Sequence, residues 1–348
     1  MHDRTSLELI IDMKGMATEV SATLMIIVLC WILLIIADAA VGGLLKLVSG
    51  IPFRKAFAWG LLSLLIPPLA VSYGTLIERN CFKIKEVSIS FENLPEAFDG
   101  YRIVHISDIH ARSFIGREKN LAKAIDKINR LNPDIAAFTG DLITLAPEEL
   151  DSLAPILGRI KAGTFSVLGN HDYSIYSNAS EDARQAHLED LITREEALGW
   201  ELLLDEHRII SKGTDSIAVI GVQNTSPSRH FPSKGDLKKA SEGTEGMFRI
   251  VLSHDPMHWE NEILGQDYPL TLSGHTHAMQ LSLLGWNPSS LLFDQYRGLY
   301  TRDGQSLYVN PGLGETIFPA RIGVRPEITV ITLNRRAENR QKLARDQS

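Results

Sequence analysis

The sequence predicts an α/β domain with a largely parallel sheet core, preceded by two apolar segments each long enough to cross a bilayer. Three observations carry this reading. Thr23 to Val41 (TLMIIVLCWILLIIADAAV) is broken only by Thr23 and Asp38, and the run continues to Val48 with one further charge, Lys46. Phe57 to Ile77 carries no charge at all. From about Cys81 onward, short β-like runs alternate with amphipathic helical stretches, the texture of strand-helix-strand units. At 348 residues the chain can bury one large core or two ordinary ones.

The first apolar segment defines a helix over about 23–48 and the second a helix over 57–77, weakened as a straight rod by Pro67, Pro68, Gly60 and Gly74. A cleaved leader followed by a buried hairpin is the competing reading, but the first run exceeds a signal h-region and follows a mixed-charge stretch. Residues 1–80 are therefore expected to be a membrane anchor. Basic residues fall almost evenly on either side of the two spans, so orientation is left open. Strands are expected at Ile84–Phe91, Tyr101–Ile106, Ile135–Phe138, Phe165–Leu168, Ile217–Val222, Ile250–Leu252, Leu270–Leu272, Leu307–Val309 and Ile328–Leu333. Leu121, Ala124, Ile125, Ile128 and Leu131 recur at helical spacing, and Asn132-Pro133 stops that helix. Tyr173–Thr193 reads as a polar helical or loop excursion, and 335–348 as a charged, frayed tail. The domain proper thus spans 81–334.

Charge separates the two parts. Residues 1–80 hold six acidic and six basic side chains, so the whole net charge of −7 belongs to residues 81–348. A phosphate-tracking nucleic-acid surface needs basic stripes, and no nucleic-acid partner is expected. Two cysteines, Cys30 and Cys81, make no disulfide framework or zinc-finger spacing.

Chemistry concentrates just past the strands. Asp108-Ile109-His110 follows YRIVHIS, Gly140-Asp141 follows IAAFT, Gly169-Asn170-His171-Asp172 follows FSVL, His254 follows RIVLS, and Gly274-His275-Thr276-His277 follows LTLS. The carboxyl ends of strands are where open α/β sheets build sites. Taken singly each motif is weak: Gly-Asp suits a plain turn, and a lone histidine suits a cap. In an extended segment, Asp-x-His and His-x-His each turn both side chains to one face, where one ion could take them. Their joint occurrence, each after a strand, is the signal.

These five blocks resemble the signature of the calcineurin-like metallophosphoesterase superfamily, with no ligand missing, over about Lys85 to Leu333. The flanking stretches ENLPEAFDGYRIVHISDIH and YVNPGLGETIFPARIGVRPEITVITL look like its membrane-associated branch, which includes a UDP-2,3-diacylglucosamine diphosphatase and anchored phosphodiesterases. The resemblance implies a four-layer αββα sandwich and a binuclear centre. Asp108, His110 and His277 would hold one divalent ion and Asn170, His254 and His275 the other, with Asp141 bridging. Such ions clamp phosphate oxygens and acidify water for attack. Imidazole-rich ligation favours Mn, Fe, Co or Zn over Mg or Ca. His171 would donate to the transition state or leaving group, and Asp172 would either orient it or serve a local turn.

Other residues divide between roles. His105 reads as a core histidine, and Asn310-Pro311-Gly312 and Arg321 as structural. Arg112 could reach a phosphate or make a surface ion pair, and Arg229-His230 could meet substrate from a Pro- and Ser-rich loop or simply form it. Trp259, Trp286, Phe293 and Tyr296 suit an acyl groove or, for most of them, the core. The expected activity is a membrane-anchored hydrolase of a phosphodiester or diphosphate, with UDP-2,3-diacylglucosamine giving UMP and a lipid monophosphate as the most concrete substrate. A phosphoesterase of broader substrate and a non-catalytic membrane scaffold are the alternatives. Oligomeric state is not legible.

Overall fold

The computed structural model describes residues 6–336, in two compact units, Met1–Cys81 with Glu315–Arg325 and Phe82–Gly314 with Pro326 onward. The charged tail expected over 335–348 lies outside the described residues except for Arg335 and Arg336.

In the first unit, helix α1 (Ser6–Ser49) turns at Gly50, which adopts a φ of 68°, into helix α2 (Phe53–Gly60). A 3₁₀ turn, Leu61–Leu65, leads to helix α3 (Ile66–Leu76). Pro67 and Pro68 sit in the first turn of α3, where their missing N–H groups would have had no intrahelical partner. Val20–Ser49 and Phe53–Asn80 are each long and apolar enough to cross a membrane, and their large apolar side chains are exposed. The Trp31 indole donates to the Leu64 carbonyl at 2.7 Å and the Ser63 hydroxyl to Asp38 at 2.8 Å, so the one acidic group of the long run is hydrogen-bonded. A Cβ on Gly74 would stand 2.7 Å from the Arg321 carbonyl oxygen. Close approach of Glu315–Arg325 to α3 therefore requires glycine there. The same segment accepts from Arg79 at Pro319 (3.2 Å), and its Gly323 amide donates to Glu78 at 2.9 Å.

Among the described residues the second unit carries twelve strands: β1 (Lys83–Phe91), β2 (Tyr101–Ile106), β3 (Ile135–Phe138), β4 (Gly163–Ser166), β5 (Glu201–Leu202), β6 (Glu206–Lys212), β7 (Asp215–Gly221), β8 (Phe248–Leu252), β9 (Leu270–Ser273), β10 (Gly298–Arg302), β11 (Gln305–Val309) and β12 (Glu327–Arg335). They form two six-stranded sheets, ordered β1-β12-β2-β3-β4-β5 and β10-β11-β9-β8-β7-β6. β2, β3 and β4 run parallel in one, and β7, β8, β9 and β11 in the other. Ile103, Ile331, Val219, Ile250 and Leu272 pack between the sheets. Their neighbours Val104 and Ile220 lie in two different outer cores. Both faces of each sheet are thus covered, and these strands read as continuous apolar runs.

Helix α4 (Glu118–Arg130) buries Leu121, Ala124, Ile125 and Ile128 in the outer core of the first sheet, the face expected from their spacing. Past Arg130, Asn132 takes a φ of 46° before Pro133. Short α5 (Ala154–Leu157) and long α6 (Glu181–Ala197) complete that layer, and α7 (Leu237–Ser241) lies with the outer core of the second sheet. The αββα sandwich expected from the sequence is the fold observed.

Glu195 of α6 is fully buried; the Ser166 hydroxyl donates to one carboxyl oxygen at 2.7 Å, and the other has no partner. Burial, then the charge of Asp172, push its pKa up to about 8. A carboxyl pKa raised by folding contributes stability that is full below about 4.3 and lost as pH rises towards 8. Glu195→Gln is therefore expected to raise stability by about 1–3 kcal/mol at pH 8 and to change it little at pH 4.5. Thermal unfolding in detergent at the two pH values checks this.

Candidate metal centre

The five motifs converge because their strands run parallel. Asp108, Asp141 and Asn170 follow β2, β3 and β4 of one sheet, while His254 and His275 follow β8 and β9 of the other. Backbone bonds stitch the loops: Asp108 N–H donates to the Gly140 carbonyl at 2.9 Å, His110 N–H to Asp141 at 3.0 Å, and Gly274 N–H to His254 at 2.9 Å. Side-chain atoms then cluster within 4.8 Å in three groups: Asp108, His110 and His277; His110, Asp141 and His171; Asp141, His254 and His275. His277 Nε2 lies 3.2 Å from Asp108 Oδ1 and 3.0 Å from His110 Nε2. Asp141 Oδ2 lies 3.1 Å from His254 Nε2 and 3.6 Å from His110 Nε2, so one carboxylate faces both histidine sets.

The backbone is held in an unusual state to achieve this. Asp108, His110, Asp141, His275 and His277 all adopt positive φ, between 44° and 72°. Left-handed backbone costs a residue with a Cβ roughly 1 kcal/mol or more, and it persists only where its surroundings fix it. Glycines supply the close approaches: a Cβ on Gly169 would collide with Asp141 Oδ1, and one on Gly274 with Ser107 Oγ and Asp108 Oδ2.

Electrostatics follow from the packing. Burial favours the neutral carboxyl at Asp108 and Asp141, but the neighbouring histidines outweigh it and hold both well below the usual carboxylate range. Burial also opposes charging of His254, yet Asp141 and Asp108 together push its pKa up to about 10. His110 goes the other way: burial, then His171 and His277, lower it well below 6.5. His254 Nδ1–H donates to the Thr139 carbonyl at 2.6 Å, which leaves Nε2 facing Asp141.

His171 N–H donates to Asp141 Oδ1 at 2.8 Å, and its ring Nδ1 donates to the Thr144 carbonyl at 2.9 Å. Burial lowers its pKa. The orienting role expected for Asp172 is not what the structure shows. Its carboxylate instead accepts from four backbone amides: Asp141 and Gly169 at 2.8 Å on Oδ2, and Leu142 (2.8 Å) and Ile143 (3.1 Å) on Oδ1. Asp172 is the knot between the β3 and β4 loops, and Thr144 orients the histidine. Burial, then Asp141, push the Asp172 pKa up to about 7 against those amides. Thr144 is fixed in turn by Glu149, which accepts from the amides of Thr144 (2.7 Å), Leu145 (2.8 Å) and Arg112 (3.1 Å).

Residues 101–279 match the calcineurin-like phosphoesterase family, over half of the chain and every residue of the three clusters. The chain belongs to the calcineurin-like phosphoesterase family. Similar proteins include a transmembrane protein with metallophosphoesterase domain from Danio rerio, 34% identical over 293 residues, covering 80% of this chain and 63% of that protein. The uncharacterized metallophosphoesterase YkuE of Bacillus subtilis is 30% identical over 272 residues, 75% of this chain and 88% of its own. UDP-2,3-diacylglucosamine pyrophosphatase LpxG of Chlamydia trachomatis is 27% identical over 305 residues, 71% of this chain and 88% of its own. The match thus spans less than two thirds of the Danio rerio relative.

The residues of this calcineurin-like phosphoesterase suit the divalent ions of its family. Asn170 Oδ1 is buried with no hydrogen-bond partner, although Asn170 Nδ2 donates to the Tyr176 hydroxyl at 3.0 Å. A buried acceptor left so is costly unless a cation completes it. Close approach of imidazole nitrogens, His110 to His277 and His254 to His275 (3.3 Å), is the pattern of ligands converging on a shared centre.

Of three further contributors, only Phe293 carries an expectation from the sequence, an acyl groove or the core. Tyr176 stacks on His171 with ring centroids 4.2 Å apart, while Phe231 and Phe293 present edges to His275 at 4.9 and 6.4 Å. Exposed Arg229 and His230 precede Phe231 in the same loop, and partly buried Arg112 lies in the turn Ala111–Phe114 after His110. His105 is a core histidine, 2.9 Å from the Thr139 hydroxyl, with burial lowering its pKa to about 3. Asn310 ties strands together, donating to the His105 carbonyl at 3.1 Å and the Thr329 hydroxyl at 3.0 Å. Trp259 is core, but Trp286 is exposed.

Proposed function

We propose that the chain is a membrane-anchored, metal-dependent phosphoesterase in which Asp108, His110 and His277 hold one divalent ion, Asn170, His254 and His275 a second, and Asp141 lies between them. The position of the Asp141 carboxylate, facing both histidine sets, carries this reading. When bound, the ions supply Lewis acidity and a nucleophile at neutral pH. The chain's own groups do the rest. His171, its Nδ1 proton held by Thr144, exchanges protons at Nε2; beside a phosphate oxygen the imidazolium is favoured, and its proton passes to the leaving oxygen. The imidazole-rich donors select Mn, Fe, Co or Zn.

The substrate is a phosphodiester or diphosphate on a lipid-linked molecule, and specifically UDP-2,3-diacylglucosamine, cleaved by water to UMP and a lipid monophosphate. Support comes from the two spanning-length helices and from the likeness to LpxG over 88% of that protein. Full-length protein in detergent with each of the four metals is expected to release UMP from this lipid, and His171→Ala to lower kcat by about 10²–10⁴ with metal content retained. Turnover of a chromogenic phosphodiester alone would remove the lipid substrate. Inactivity on both would leave only a scaffold.

Metal uptake carries a pH signature. Metal-free His254 keeps its proton up to about pH 10, and ligation through Nε2 requires its loss, so affinity is expected to rise with pH and one proton to be released at pH 7.5. Calorimetric titration in buffers of different ionisation enthalpy reads that proton directly; metal uptake with no proton released would overturn this pH dependence.

A further inference from the structure

The chain between His277 and Asp294 contains no charged residue and no histidine. It also folds inside out. Three of its polar side chains are buried, Gln280 to 3% exposure, Asn287 to 5% and Ser289 to 0%, while Ser290 is exposed. Its large apolar side chains face outward: Leu283 is 53% exposed, Leu284 109%, Trp286 52%, Leu291 73% and Leu292 66%. The flap is built rather than loose. Leu283 and Trp286 exchange backbone hydrogen bonds of 2.9 Å around Gly285, and Asn287 donates to the Ala278 carbonyl at 2.9 Å and accepts from Ser289 at 2.8 Å. The Asn287 amide and the backbone groups thus satisfy one another internally, although the buried Ser289 hydroxyl has no partner, and the cost of exposing leucines to water is left uncompensated.

That inversion is shared with the helices of the same chain, where Met25, Leu47 and Leu62 are exposed. It is the polarity expected of a surface whose solvent is hydrocarbon, with a tryptophan suited to the interfacial depth. We propose that the flap Leu283–Leu292 inserts into the lipid surface and holds the mouth of the metal centre against it. The flap begins at His277, and Phe293 at its far end meets His275 edge-on, so both of its roots lie at the centre. A phosphoester carried by a lipid would then meet the site without leaving the bilayer. The inference rests on the membrane-anchored phosphoesterase function and names the partner of that site as lipid acyl chains.

The test uses full-length protein in vesicles of phosphatidylethanolamine and phosphatidylglycerol. An environment-sensitive fluorophore is attached to the thiol introduced by Leu284→Cys in a Cys30→Ser/Cys81→Ser background, with Leu291→Cys as a second position should the first not fold. Nitroxide-bearing lipids are expected to quench this label strongly while aqueous iodide does not, and a label at Glu181→Cys, an exposed position on α6, is expected to behave oppositely. Iodide quenching at both flap positions would overturn the proposal. Protection from both quenchers would overturn it too, by showing a protein cover such as a second copy. A label on native Cys30 in a Cys81→Ser variant reports the anchor separately. Lipid quenching there but not on the flap defeats this inference alone, and turnover plays no part in either readout.

Discussion

Asp141→Asn is expected to lower kcat/KM by about 10³-fold or more, because it removes an anionic side chain that faces both histidine sets. Asparagine keeps the shape. It can still accept the His171 amide bond of 2.8 Å, so the fold is expected to survive. What is lost is charge: the amide cannot offer an anionic oxygen to each of two ions, and the nearer of the two carboxylates that favour protonated His254 without metal is gone. Metal content should therefore fall below two ions per chain, and the proton released on metal uptake should fall with it. Elemental analysis alongside steady-state kinetics checks both. A variant that kept two ions and activity within tenfold would sink the bridging role.

Asp172→Ala is expected to destabilise by about 3–5 kcal/mol, since the four amides that its carboxylate accepts would be left buried without a partner. Those amides belong to the loops that carry Asp141 and Asn170, so activity should fall with stability. Asp172→Asn retains one good acceptor and should lie between the two. This graded loss in thermal unfolding distinguishes a knot from an orienting carboxylate. A role confined to His171 would instead leave unfolding unchanged and reduce kcat alone.

The candidate ligands were legible because metal chemistry restricts residue type and strand ends restrict position: Asp108, Asn170 and His275 each follow an apolar run that could only be a strand. Helix α4 was legible from its buried stripe. Strands β6 and β10, largely exposed and carrying charges, lacked the apolar density on which the expectation rested, and β5 is two residues long. Asp172 misled for a different reason. It neighbours His171 in sequence, but in the 3₁₀ turn His171–Tyr173 the two side chains reach different loops. Thr144 acts through a carbonyl, a group every residue has, so no residue type could have announced it. Of the flap only Trp286 carried an expectation, because its leucines imply burial by composition, and the hydrogen bonding shows that Asn287 took the inside.

The grouping of Glu315–Arg325 with the helical unit bears on how the protein can be dissected. A cut near residue 81 looks natural on the linear sequence. It would remove Gly74, Glu78 and Arg79, the groups against which Arg321, Gly323 and Pro319 are set, and with them that close contact and those two hydrogen bonds. The segment begins directly after Gly314, whose amide donates to the Asp108 carbonyl at 2.8 Å. A truncated chain would thus carry a stretch without those partners next to the loop of Asp108, and a design that excises the helices has to replace or shorten residues 315–325 as well.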